Sequence, residues 1–240
     1  MSKHIFIFGS PGSGKSIFCT ALAKAGMKHK KRIMIVCADR IIPMMPFFGG
    51  SEEILGLGAL CVKDITSKTL AQAVKVIKKY PDIGILGMNF EDDPSSITRE
   101  KYEQIFHLLD SIVDVVIWDG NANLYDPMHL AVSHKANLQI CILTADVKGI
   151  LYFENYRHII RDKGKCILLE GVAKPYTAYE EMSALIGGFD GRLNYSREVE
   201  RVCLEGEIFS VDDVCHKEYR ELTERLIEKV IQGEEVTFDS

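Results

Sequence analysis

A glycine-rich stretch near the start of the chain has the residue types and spacing of a phosphate-binding loop. Its sequence, GSPGSGKS, fits G-x-x-x-x-G-K-S and lies between an apolar run and a helix-forming run. Glycines at this spacing let successive backbone N–H groups turn inward around a phosphate, and the following helix N-terminus adds a partial positive charge. The pattern predicts a loop that holds a nucleoside triphosphate and consists of Gly9, Ser10, Pro11, Gly12, Ser13, Gly14, Lys15 and Ser16.

Two side chains of this loop have distinct predicted roles. The ammonium group of Lys15 would reach the β- and γ-phosphate oxygens, where it is a candidate catalytic group. The hydroxyl of Ser16 would coordinate Mg²⁺. Such a metal site also needs a carboxylate, which must come from elsewhere in the chain.

Acidic residues follow two of the apolar runs. The segment VDVVIWDG brings Asp119 to the end of a predicted strand, where it could hold Mg²⁺ through water. The segment IMIVCAD brings Asp39 to the end of another, 24 residues after Lys15. A carboxylate at that place could orient or deprotonate an attacking water, or hold the metal. We therefore expect Asp39 and Asp119 to face the phosphates.

The elements that must position these residues alternate along the chain. Short, nearly continuous apolar runs predict strands buried on both faces of a sheet: His4–Phe8, Arg32–Cys37, Ile83–Met88, Val113–Trp118, Leu138–Leu143 and Cys166–Val172. Segments with helical periodicity lie between them: Lys15–Gly26, Thr69–Lys79, Ser96–Ser111, Asp126–His134, Lys148–Asp162 and Thr177–Ile186. The alternation predicts an α/β fold with a mostly parallel central sheet of about seven strands and helices on both faces. No linker-like stretch divides the sequence, so we expect a single domain over residues 1–240.

Two further segments need separate treatment. Prolines and glycines interrupt the region Pro43–Lys68, for which we expect an irregular, partly mobile excursion. The pattern of Val211–Gln232 predicts one helix, or two. Its polar face carries acidic and basic residues in similar numbers and lacks the basic excess of a membrane-surface helix, so we expect it to pack on the sheet.

Composition limits the functional classes. The 240 residues carry a net charge of -5, which gives no general reason to bind nucleic acid, although Lys28–Arg32 is a local basic cluster. The seven cysteines include no CxxC pair and the seven histidines form no ligand pattern, so we expect reduced thiols and no zinc site. The first residues show no leader, and no apolar run reaches the roughly 18 residues of a spanning helix, so we expect a cytoplasmic protein without stable membrane insertion.

The three segments FGSPGSGKS, IMIVCAD and VVIWDG, in this order, resemble the MinD/ParA branch of the P-loop ATPases. Two later segments are similar to the same family, although they are less specific: LQICILTADVKGILYFENYRHII and LNYSREVERVCLEGEIFS. The resemblance implies that the loop cradles ATP, that Asp119 holds Mg²⁺ through water and that Asp39 positions the hydrolytic water. It also implies a homodimer that sandwiches two ATP molecules and dissolves on hydrolysis.

The loop departs from the family pattern at two positions. The family has KGGxGK[ST], whose first lysine reaches the partner's phosphates, whereas this chain has Ser10 and then Pro11 there. A neutral hydroxyl cannot offset charge that develops on the γ-phosphate, so we expect slow hydrolysis unless another basic group substitutes. In this departure the chain resembles the TadZ/CpaE-like sub-branch, which marks polar sites for pilus assembly. The favoured interpretation is an ATP-dependent switch used for positioning, partitioning or assembly of an unidentified protein partner.

Other functions stay open at this point. Similar loops occur in small-molecule and nucleotide kinases, but Arg157 and Arg161 give no evident phosphate-enclosing lid. A GTPase is disfavoured because the sequence has no N-K-x-D run. A non-hydrolysing scaffold, with ATP as a structural ligand, would differ from the switch only in turnover. Analogy places the adenine contacts near Ala173–Pro175 and Asn194–Ser196. The acidic last residues, from Gly233 onward, disfavour attachment to anionic lipid.

Overall fold

All eight strands form one sheet in this computed structural model, which describes residues 1–37, 39, 45–46, 55–161, 166–173 and 179–236. The order across the sheet is β3-β4-β2-β5-β1-β6-β7-β8. Every neighbouring pair is parallel except β3 with β4. The strands are β1 (Lys3–Gly9), β2 (Ile33–Cys37), β3 (Lys75–Ile77), β4 (Tyr80–Leu86), β5 (Val115–Asp119), β6 (Leu138–Thr144), β7 (Cys166–Ala173) and β8 (Gly191–Asn194).

Helices cover both faces of this sheet. The α-helices are α1 (Lys15–Lys28), α2 (Leu57–Val62), α3 (Ser67–Ala73), α4 (Arg99–Leu109), α5 (Pro127–Val132), α6 (Val147–Arg161), α7 (Tyr179–Ile186), α8 (Arg197–Leu204), α9 (Val211–Val214) and α10 (Lys217–Gln232). Short 3₁₀ turns span Pro94–Ser96 and Ile208–Ser210. Among the described residues, every helix falls short of the length and apolarity needed to cross a bilayer.

Side chains of the central strands alternate between two apolar layers. Along β1, Ile5 and Ile7 pack with α1 and α10, whereas Phe6 and Phe8 pack with the helices α4, α5 and α6. Both sets are buried, which is why each central strand is apolar without a polar face. The predicted α/β class and the mostly parallel sheet with helices on both faces are confirmed.

The predicted helix Thr69–Lys79 is wrong in its second half. Helix α3 ends at Ala73, and Lys75–Ile77 form an edge strand that pairs antiparallel with β4. The run from Val74 to Ile77 contains three β-branched residues, which favour a strand where a sheet edge can pair with them. The helical spacing of the segment is therefore overridden by the neighbouring strand.

Two other predictions need correction or completion. Strand β8 is a short segment, GRLN, that the apolar pattern did not predict. Within Pro43–Lys68, the described residues include α2, so this region is not irregular throughout, and its remainder lies partly outside the described residues. The start of the predicted helix Thr177–Ile186 also lies outside them. The C-terminal stretch forms two helices, α9 and α10, of which α10 packs against α1.

Candidate nucleotide-binding site

The glycine-rich loop joins β1 to α1 at the carboxyl edge of the sheet. Gly9 has a φ of 145°, and a Cβ on it would lie 1.9 Å from the carbonyl oxygen of Ile142 on β6. Gly14 has a φ of 87° in the left-handed region, directly before the first turn of α1. Any other residue at these two positions would be strained, so the local sequence dictates the turn. The loop thus delivers the N-terminus of a 14-residue helix to the sheet edge.

Lys15 lies over the loop that precedes it. Its Nζ donates hydrogen bonds to the carbonyl oxygens of Gly9, at 3.3 Å, and Ser10, at 2.9 Å. Burial lowers the pKa of this ammonium, while the charges of Asp119 and Asp39 act in the opposite direction. The cation is therefore held within the loop, at the place where the sequence pattern predicts phosphate oxygens.

The predicted metal ligands are brought together. Strand β5 lies between β1 and β2, and Asp119 at its end is aligned with Ile7 and with Cys37. Asp119 is only 5% exposed, and the Ser16 hydroxyl lies close enough to its carboxylate to lower the pKa. Burial raises its pKa to about 6, against the lowering effects of Ser16 and Lys15. A hydroxyl and a carboxylate that lie close together offer the oxygen donors that Mg²⁺ prefers, so the residues present fit this ion.

Asp39 lies two residues beyond β2, on the same edge of the sheet, and is half-buried. Its charge interacts with both Lys15 and Asp119, which places the three groups in one site. The structure therefore assembles every charged residue that the sequence predicted for the site.

Ser10, in contrast, has its side chain inside the protein. It is fully buried, and its Oγ accepts a hydrogen bond from the backbone N–H of Thr144 at 2.9 Å. Its Oγ also lies 3.2 Å from Thr144 Oγ1. Its backbone N–H donates to the Ile142 carbonyl at 3.0 Å, so Ser10 holds the loop in place and does not offer a donor to a phosphate. Sequence reasoning did not find Thr144, although Thr144 directly follows the buried part of β6.

An apolar cavity of about 380 Å³ opens beside the loop. Ser13, Gly14 and Ile17 form one wall, and residues 193–196 with parts of α8 form the other. The Ser13 Oγ is buried and has no hydrogen-bond partner among the described residues. Gly171 on β7 permits this close packing, because a Cβ there would lie 2.2 Å from the Ser13 carbonyl oxygen. The cavity has the size and apolar lining of a small-ligand site.

Asn194–Ser196, one of the two segments predicted to contact adenine, lines this cavity. The other, Ala173–Pro175, lies largely outside the described residues. The assignment of either segment to adenine stays a prediction. The cavity lies between the loop and the end of β8. It could not be predicted from the sequence, because the sequence does not give the order of the strands in the sheet.

The overall fold has counterparts among solved proteins. A ParA family ATPase from Chlorobium tepidum TLS superimposes with a TM-score of 0.80 at 12% identity, over 95% of this chain and 99% of that one. The chain has the fold of the ParA and MinD ATPases. MinD in the MinC:MinD cell division protein complex of Aquifex aeolicus gives a TM-score of 0.75 at 14% identity, with 99% and 98% coverage.

A third counterpart is the septum site-determining protein MinD from Pyrococcus horikoshii OT3, complexed with Mg-ADP. Its TM-score is 0.73 at 15% identity, and 96% of each chain is covered. No protein-family model matches the sequence, and neither does any curated protein. At these identities the likeness establishes the ParA/MinD fold, as the sequence motifs predicted, while the unusual loop and the TadZ/CpaE-like placement stay predictions.

Proposed function

We propose that this protein is an ATP- and Mg²⁺-binding molecular switch that forms a homodimer on ATP, hydrolyses the nucleotide slowly and positions, partitions or assembles a protein partner. The observation that carries the proposal is that the buried Asp119 carboxylate interacts with both Ser16 and Lys15 at the end of the glycine-rich loop. These groups supply a metal site and a phosphate-binding cation within one sheet edge. The proposed location of the protein is the cytoplasm.

Each residue has a defined part in this proposal. Lys15 and the backbone of Gly9 to Ser16 hold the triphosphate, while Ser16 and Asp119 hold Mg²⁺, directly and through water. The ion, when bound, neutralises charge on the β- and γ-phosphates. Asp39 orients the attacking water or accepts its proton. The cavity between Ser13 and Asn194 receives the base.

The proposal of slow turnover rests on Ser10. A loop lysine at this position would supply a cation to a facing subunit, but Ser10 is neutral and fully buried against Thr144. Losing one such cation reduces phosphoryl-transfer rates by a factor of about 10³ or more in related chemistry. ATP would therefore remain bound long enough for a dimer and its partner to persist.

Two relatives in fold support the partner and cofactor parts of the proposal. One is complexed with Mg-ADP and another with MinC. The net charge of -5 disfavours DNA as the partner, and a protein is the proposed class.

The test combines nucleotide binding with phosphate release. A fluorescent ATP analogue is titrated with and without Mg²⁺, and unlabelled ATP and GTP compete for it. The proposal requires Mg²⁺-dependent binding, preference for ATP over GTP, and phosphate release that Lys15→Ala abolishes. Preference for GTP would overturn the proposed nucleotide. Phosphate transfer to a small-molecule acceptor, at a rate far above release to water, would instead establish a kinase.

A further inference from the structure

We propose that Thr144 and Asp146 are positioning residues for the glycine-rich loop, because they clamp the Ser10 side chain to the first turn of α6. This inference rests on the proposed ATP site and adds to it two residues outside the loop. Neither residue touches the predicted phosphate position through the contacts described for it. Their effect on the nucleotide would pass through Ser10.

The clamp is a directional chain of hydrogen bonds. The Thr144 hydroxyl donates to the Asp146 carboxylate at 2.8 Å, so it has no proton left for Ser10. The Ser10 hydroxyl, 3.2 Å from Thr144 Oγ1, must therefore donate to it. Ser10 Oγ in turn accepts the Thr144 N–H at 2.9 Å. The two residues thus hold each other through two hydrogen bonds.

The far end of the chain is anchored in α6. Asp146 directly precedes this helix, and the carboxylate oxygen that accepts from Thr144 also accepts the Gly149 N–H at 2.9 Å. An ionised acceptor strengthens both hydrogen bonds and polarises the chain that leads to Ser10. Gly149 fits tightly, since a Cβ on it would lie 1.8 Å from the Thr144 carbonyl oxygen. The entrance to α6 and the entrance to the loop are therefore one packed unit.

The site needs such a clamp because the loop entrance has few other restraints. Pro11 and Gly12 are exposed, and the Ser10 N–H donates to the Ile142 carbonyl at 3.0 Å. Without the clamp, this contact and the hydrogen bonds from Lys15 to the Gly9 and Ser10 carbonyls would remain. A loop held by these alone would have to be ordered further when the phosphates bind, which lowers affinity. The hydrogen bonds of the clamp order the loop before the nucleotide binds, so binding does not have to supply that free energy. Because the Ser10 side chain is held by Thr144 of the same chain, it is not available to a facing subunit.

The experiment is a double-mutant cycle on ATP affinity. Ser10→Ala and Thr144→Val are measured singly and together, with Mg²⁺ and the fluorescent ATP analogue as the probe. Each single change is expected to weaken binding about fivefold, and the double change should be no weaker than about either single one, because both break the same chain. Thr144→Ser keeps the hydroxyl and should bind within about twofold of the wild type.

The matched control is Thr223→Val on α10, a fully buried threonine whose hydroxyl donates to the Arg220 carbonyl within its own helix. It should leave ATP affinity within about twofold and combine additively with Ser10→Ala. Urea unfolding of each variant separates a loss of stability from a loss of affinity. Asp146→Asn keeps the acceptor oxygen but removes its charge, so this variant should bind ATP with an intermediate affinity. Additive effects of Ser10→Ala and Thr144→Val, in a protein that binds ATP, would overturn the clamp alone. A wild-type protein that does not bind ATP would overturn the proposed function itself.

Discussion

Replacing Asp119 by asparagine should stabilise the nucleotide-free protein at neutral and alkaline pH. The amide keeps the shape of the carboxylate and can still accept a hydrogen bond, but it cannot ionise. The pKa of Asp119 is raised by burial from 3.8 to about 6, so the ionised form is disfavoured in the folded state. A metal site that awaits its ion is expected to lower stability in this way.

The magnitude follows from the two pKa values. Between about pH 4 and pH 6 the folded state binds more protons than the unfolded state, so stability falls as the pH rises through this window. The full cost above the folded pKa is about 3 kcal/mol, and about 1.4 kcal/mol of it develops between about pH 5 and pH 8. The stability advantage of Asp119→Asn should therefore grow by about that amount across this range.

Urea unfolding in the presence of EDTA measures this difference. Trp118 is the sole tryptophan, is fully buried and directly precedes Asp119, so its fluorescence reports unfolding of the site. Glu91→Gln, an exposed carboxylate change, is the control and should follow the wild type at every pH. With Mg²⁺ and ATP in place of EDTA, the wild type should become more stable than Asp119→Asn, because the ligands stabilise the wild type by mass action. A constant difference between Asp119→Asn and the wild type from acid to alkaline pH would refute the reasoning.

Three further predictions concern other parts of the site and the core. Gly171→Ala should weaken ATP binding about tenfold in the titration with the fluorescent ATP analogue, since its Cβ would lie 2.2 Å from the Ser13 carbonyl oxygen. Gly191→Ala is the control and should bind normally, because its Cβ would meet only leucine side chains, at 3.2 Å and beyond. Burial lowers the pKa of His4 from 6.5 to about 4, so the neutral imidazole stabilises the fold above about pH 6.5 and this stabilisation is lost as the pH falls towards 4. The free energy of unfolding of His4→Gln should therefore fall less on acidification than that of the wild type. Asp39→Ala should slow phosphate release at least about tenfold while ATP affinity changes less than about threefold. An unchanged release rate would remove Asp39 from the reaction.

The loop and its acidic partners could be predicted because their chemistry is local in sequence. GSPGSGKS requires a turn at its glycines, and parallel strands must end at one sheet edge, which brings Asp39 and Asp119 to Lys15. These arguments need no knowledge of strand order. The fold class followed from the same alternation of apolar runs and helical segments.

Other parts of the site depend on which strands are neighbours. The contact between Ser10 and Thr144 exists because β1 and β6 pair with Gly9 opposite Ile142. A threonine two residues before an aspartate at a helix start is a capping signal in sequence, but it does not say that the loop lies beside it. The cavity between Ser13 and β8 was hidden for the same reason, and β8 itself is too short to give an apolar pattern.

The edge strand β3 shows a different limit. Its segment has helical spacing, and only the pairing of Lys75–Ile77 with β4 decides in favour of a strand. Local propensity is a weak guide wherever a sheet edge offers hydrogen-bond partners. Prediction therefore succeeded where the local sequence set the structure and failed where pairing with another segment decided it.

Light scattering after size exclusion tests the central claim, an ATP-dependent dimer, most directly. With ATP and Mg²⁺ the account predicts a mass of twice 27.0 kDa, and with ADP or with Lys15→Ala it predicts a single chain. The run must use a protein concentration and an ATP excess at which the binding titration shows a filled site. A mass of 27.0 kDa under those conditions, with nucleotide bound, would contradict the account.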